Sequence, residues 1–199
     1  MPLHLNLPHL GLAAFTCMVL SLAGGLFQSR ETLQWFAELR RARWHLPNSA
    51  HFVVQALAYL IEGVILYRLL ESEIVPALRV VALATMLLMM IAAEGATAAL
   101  LGLRSSEAGL AATLSLLAPL AAAEFTLWHA DRFAAKLLLP YCAWVVLYLV
   151  PWAVSVWRLN RTGSSHGASA GTPAGASAGT PAGTQAGTDV ETQVGTDAG

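Results

Sequence analysis

Residues 137–160 read LLLPYCAWVVLYLVPWAVSVWRLN, and this stretch decides the class of fold. It is apolar over more than the roughly 20 residues that a helix needs to cross a hydrocarbon layer of about 30 Å. At helical spacing, Tyr141, Trp144, Tyr148, Trp152 and Ser155 fall on one continuous face. A membrane helix striped with aromatic and hydroxyl groups turns that stripe toward something other than lipid tails. Helix packing and an interfacial aromatic belt satisfy such a stripe, and so does the wall of a ligand cavity.

Four more apolar runs precede it. Residues 10–27 carry no charge, residues 50–70 are interrupted by His51, Gln55, Glu62 and Arg68, and residues 74–103 hold Arg79 and Glu94. Residues 108–128 contain Glu124, and the final run, 133–157, contains Lys136 near its start. With 56% hydrophobic and 12% charged residues, the 199-residue chain is no ordinary soluble domain. The expected fold is all-α, a bundle of five transmembrane helices formed by residues 1–160. The first run lacks a basic flank, because MPLHLNLPH has neither Lys nor Arg. It therefore reads as a retained span and not as a cleaved signal.

From residue 161 the composition changes to Ala, Gly and Thr, with GASAGTPA at 167–174 repeated at 175–182. Residues this small and polar bury no core, so a disordered tail is expected. A net charge of −1 and the absence of basic runs argue against nucleic acid as a partner. Cys17 and Cys142 sit in apolar runs, and no Cys/His spacing resembles a metal motif.

The links set topology. Residues 28–48 are the longest internal loop, with Arg30, Arg40, Arg41 and Arg43 among Trp35, Phe36 and Trp44. Its TLQWFAELRRARW portion suits a short interfacial helix, and Pro47-Asn48 announces the second span. Counting Arg104, Arg158 and Arg161 on the same side gives seven basic residues against Arg68, Arg79, Arg132 and Lys136 on the other. That asymmetry predicts a cytoplasmic loop and tail with the N-terminus outside. Gly24 and Gly25 permit a close helix approach, while Pro119 and Pro151 free backbone carbonyls inside spans.

Ionisable residues at membrane depth are functional hypotheses by default. His51, Gln55, Tyr59 and Glu62 share one face of the second span. Met86, Met90, Glu94 and Thr97 share one face of the third. A hairpin centred near residues 72–73 predicts His51 level with Glu94. A hairpin about Ala130 places Glu124 and Lys136 at matched depth, which predicts an ion pair.

Several of these segments together resemble the TspO/MBR family of translocator, or tryptophan-rich sensory, proteins. The loop residues Trp35, Leu39, Arg41, Trp44 and Pro47-Asn48 resemble its loop pattern, and Tyr59 and Gly63 its second helix. GLRS at 102–105, Pro140-Tyr141-x-x-Trp144 and WRLN at 157–160 complete the likeness. The chain departs from the family at Ala42, Leu46, Gln55, Ala93, Ala96, Thr97, Tyr148 and Pro151-Trp152, several of them positions that line the family's cavity.

The resemblance implies an integral protein, expected in a bacterial cell membrane, that binds a flat hydrophobic molecule such as a porphyrin, haem or sterol. It implies a ligand site among Trp35, Trp44, Gln55, Tyr59, Tyr141, Trp144 and Tyr148, with no catalytic or metal residues. It also makes a homodimer an expectation. Porphyrin breakdown involving Trp35 or Trp144 is a weaker implication. The intramembrane Glu62, Glu94, Glu124 and Lys136 support an alternative, a proton-coupled carrier. A further alternative is a membrane scaffold.

Overall fold

The computed structural model describes residues 6–27, 29–40, 42 and 45–161, with the side chains of residues 48 and 49 excepted. Trp44, Arg41, Arg43 and the tail from residue 162 onward lie outside the described residues, so the expectations made for them go unexamined.

Every regular element among the described residues is helical. The order is α1 (Leu7–Gly25), α2 (Arg30–Glu38), α3 (Asn48–Glu71), α4 (Pro76–Gly102), α5 (Ser106–Ser115), α6 (Leu117–Ala130), α7 (Arg132–Trp144), a π-helical turn (Val145–Leu149) and α8 (Val150–Asn160). Five continuous rods emerge: α1, α3, α4, α5 with α6, and α7 with the π turn and α8. Each is long and apolar enough to cross a membrane, as the five apolar runs predicted. Phe15, Phe52, Leu60, Ile91, Phe125 and Leu147 are exposed on the outer surface, as a protein dissolved in lipid requires.

The local chemistry explains the breaks. Pro119 cannot donate to the carbonyl four residues back, on Ser115, and α5 ends there before α6 resumes at Leu117. Pro151 likewise frees the carbonyl of Leu147, which falls inside the π turn. Ser105 caps α5 by accepting from the Ala108 N–H, and Ser29 caps α2 by accepting from Thr32.

The core is built around α4, which packs against α6, α5, α1 and α3. Met86, Met89 and Met90 are fully buried there beside Ile65, Leu69, Leu120, Leu127 and Leu138. Two glycines set how closely helices approach. A Cβ at Gly109 would lie 2.9 Å from Leu100 Cβ, so α5 meets α4 where only glycine fits. A Cβ at Gly24 would collide with Glu94 Oε2, so α1 rests against the Glu94 carboxyl. Gly25, by contrast, faces open space.

The two ends of the bundle agree with the predicted pairing of loops. At one end Arg104 holds Glu31 at 2.8 Å, and Asn160 exchanges hydrogen bonds with the backbone of Arg40. At the other, His9 meets Glu71 and Arg68 meets Asp131.

One expected ion pair and one expected register fail. Glu124 and Lys136 form no ion pair. Lys136 is exposed on the outside of α7, while Glu124 Oε2 is buried with no hydrogen-bond partner. Matched depth did not bring matched azimuth, since the inward face of α7 is Ala134, Ala135, Leu138 and Tyr141. His51 is not the partner of Glu94 either. α3 ends at Glu71 and α4 begins at Pro76, and the residue that bonds Glu94 is Tyr59, two turns further along α3.

Candidate functional site in the seam between α3 and the fifth rod

Two stripes predicted separately meet face to face. α3 runs antiparallel to the fifth rod, so His51 faces Trp144, Tyr148 and Trp152, while Arg68, near the far end of α3, faces Asp131 and Phe133. Between them, Glu62 and Tyr141 are both buried. The seam is therefore aromatic toward the α2–α3 loop, carboxylic in the middle and ion-paired at its far end.

At the aromatic end, Trp144 and Tyr148 stack with ring centroids 4.2 Å apart and planes 25° off parallel. His51 packs against this pair at 5.9 and 6.4 Å and against Trp152 at 6.3 Å. Trp152 also stacks with His45 from the loop at 6.0 Å and meets Phe36 of α2 at 6.1 Å. The Tyr148 hydroxyl accepts from the Leu46 N–H at 3.1 Å, which ties the loop down onto the rings. The void beside Trp152 is about 10 Å³, at most one water molecule.

Two polar atoms in this cluster lack any hydrogen-bond partner: His51 Nδ1 and Trp152 Nε1. Both are buried, and their rings adjoin. Buried donors and acceptors are nearly always satisfied, so two orphans among adjoining rings set this cluster apart from the rest of the seam. The indole N–H donates only, and the imidazole nitrogen donates or accepts according to tautomer.

In the middle of the seam the Tyr59 hydroxyl donates to Glu94 Oε1, joining α3 to α4. Glu62, only 4% exposed, lies one turn beyond Tyr59 and makes no hydrogen bond with any described residue. Gln55, half-buried between His51 and Tyr59, also lacks a side-chain partner among the described residues.

The far end is satisfied throughout. Asp131 accepts from Arg68 Nε at 2.7 Å and caps α7 through the N–H groups of Phe133 and Ala134. Partial burial would raise the Asp131 pKa, but the Arg68 bond and the two backbone donors outweigh it and hold the carboxyl below its ordinary value.

The predicted ligand set divides. Gln55, Tyr59, Tyr141, Trp144 and Tyr148 all lie along the seam, with Tyr141 buried in the core. Trp35 is half-buried on α2, and none of the described rings stacks on it. His45, Phe36, His51 and Trp152 complete the cluster and were absent from the predicted ligand set. His51 and Trp152 were visible as stripe members; His45 and Phe36 carried no periodic signal. Ser155 bonds back to the Trp152 carbonyl at 2.7 Å within its own helix.

No curated protein matches this chain. The model of the TspO/MBR family matches it over residues 13–158, which takes in all five rods and the seam. The chain belongs to the TspO/MBR family of integral membrane proteins.

Proposed function

We propose that the chain is a membrane ligand-binding protein that takes up a flat hydrophobic molecule carrying a polar edge, such as a porphyrin, at the aromatic end of the seam. The observation that carries this reading is the pair of orphaned polar atoms, His51 Nδ1 and Trp152 Nε1, beside a stacked aromatic pair. A carboxylate or carbonyl on the ligand edge accepts from the indole N–H and pairs with the imidazole. The ring system stacks on Trp144. Tyr148 now covers that face as a ligand ring would, so binding displaces Tyr148 and releases its bond to Leu46. Gln55 and Tyr59 line the deeper part of the same seam. Trp35 and Trp44 belong to the loop that covers it.

The test is a titration of protoporphyrin IX into the detergent-purified protein, followed by tryptophan fluorescence. Saturable quenching is expected in the wild type, lost in Trp144→Ala and strengthened in Tyr148→Ala. Absence of saturable binding in all three proteins removes the proposal. A second reading, a proton-coupled carrier, is favoured by the Glu62–Glu94 cluster. Uptake into proteoliposomes driven by a pH gradient and lost in Glu94→Gln would establish it in place of simple binding.

A further inference from the structure

Two carboxyl groups and a phenol meet at membrane depth where α1, α3, α4 and α7 converge. Glu94 reaches from α4 to accept the Tyr59 hydroxyl and rests against the Gly24 backbone of α1. Glu62 turns into the same place: it lies one turn beyond Tyr59 on the same face of α3 and is only 4% exposed. The other titratable group there is the Cys17 thiol of α1, 3.7 Å from the Tyr59 carbonyl. No Lys, Arg or His pairs with either carboxyl among the described residues.

Glu62 is the decisive member. It is more than nine-tenths buried and has no hydrogen-bond donor from the described residues, although a carboxylate at this depth requires several. Two carboxylates in one low-dielectric space repel, and neither a cation nor a ring of donors offsets that repulsion here. What the site lacks is positive charge on the scale of a hydrogen atom.

We infer that Glu62 and Glu94 form a proton-binding site inside the membrane domain, a carboxyl pair that holds at least one proton between them. The Tyr59 hydroxyl fixes one lone pair of Glu94, and Gly24 leaves the space in which its carboxyl sits. The proton then belongs to the side facing Glu62. This site is about three helical turns along α3 from His51, so it is separate from the aromatic cluster and stands whether or not that cluster binds a porphyrin.

The test reads the proton directly. Infrared spectra of the purified protein at neutral pH, in H₂O and D₂O, report the carbonyl stretch of protonated carboxyl groups. We expect this band in the wild type, its marked loss in the Glu62→Gln/Glu94→Gln double variant, and a smaller loss in Glu124→Gln, whose buried Oε2 also lacks a partner. A band that is absent from the wild type, or that persists undiminished in the double variant, overturns the proposal. Should the double variant fail to fold, dicyclohexylcarbodiimide, which adds to protonated carboxyls in apolar surroundings, is applied to the wild type. Adducts mapped to Glu62 or Glu94, and unaffected by Na⁺ or K⁺, support the site. Adducts only elsewhere, no adducts, or protection by Na⁺ or K⁺ overturn it, the last in favour of a metal-cation site.

Discussion

The two ends of α3 are both polar, yet they are polar in opposite ways. At the Arg68 end the charged groups that meet are matched: Arg68 with Asp131, Asp131 with two backbone N–H groups, and His9 with Glu71. At the His51 end the rings are packed while two of their nitrogens go unsatisfied. Polarity that is paired holds helices in place. Polarity left unpaired costs more, about 1–3 kcal/mol per buried group, and the His51 end is also the more deeply buried of the two. The comparison predicts that substitutions at the Arg68 end lower stability, whereas those at the His51 end alter binding.

The largest effect is expected at Asp131. Asp131→Ala removes the cap of α7 and the partner of Arg68 together. Caps contribute about 1 kcal/mol and partly exposed ion pairs up to about 1 kcal/mol, so a loss of about 2 kcal/mol is expected. Thermal unfolding in mild detergent measures it, with porphyrin affinity unchanged. A stability loss below about 0.5 kcal/mol breaks the comparison at this end.

Trp152→Phe comes next. It keeps a six-membered ring against Phe36 and His45 and deletes the orphaned donor; relief of that donor's cost is offset by the packing lost with the larger indole, so the net change in folding stability should be within about 1 kcal/mol. Porphyrin affinity should fall by about tenfold, the equivalent of roughly 1.4 kcal/mol for one donor to a charged edge. Equal affinity in the variant would mean that the indole N–H faces no ligand.

Much of this arrangement was legible in the chain. The five rods follow from runs of apolar residues whose length is set by the bilayer, and the seam follows from two stripes at helical spacing. What the sequence could not supply was azimuth and phase. Glu124 and Lys136 lie at equal distances from Ala130, but Lys136 turns outward and no pair forms. Glu94 is expected level with His51, but the residue of α3 that reaches it is Tyr59, because register across a hairpin depends on side-chain reach and helix phase that the sequence does not print. The π turn before Pro151 shifts the phase of α8 relative to α7, a change announced only by that proline. His45 entered the cluster from a loop, where no periodicity exists to report a side chain's direction.

Acid tests the paired end with a smaller effect. The folded-state pKa of Asp131 lies below its unfolded value, near 3.9 for a free aspartate. Its contribution is therefore fully present above about pH 5 and is lost as pH falls through the folded-state value. Asp131→Asn preserves a capping side chain while deleting the charge, so it isolates the ionic part, expected at up to about 1 kcal/mol. The wild type should lose its advantage over Asp131→Asn progressively between about pH 5 and pH 3. Curves that stay parallel over that range would show that charge plays no part.

The smallest effect is expected from Tyr148→Phe, which separates the latch from the stack. The ring stays on Trp144, but the Leu46 N–H loses the oxygen 3.1 Å away that accepts from it. Because Leu46 lies in a loop that water reaches easily, the loss should be about 0.5 kcal/mol, at the low end for one neutral hydrogen bond. The change should be local: faster amide exchange at Leu46, with the amides of α3 beyond Ala58 unaffected. If porphyrin binding must break this bond, Tyr148→Phe should bind slightly more tightly than the wild type, and Tyr148→Ala more tightly still. An unchanged exchange rate at Leu46 would mean that other contacts, among them His45 and Phe36 on Trp152 and Asn160 on Arg40, hold the loop, and that the Tyr148–Leu46 bond is not its latch.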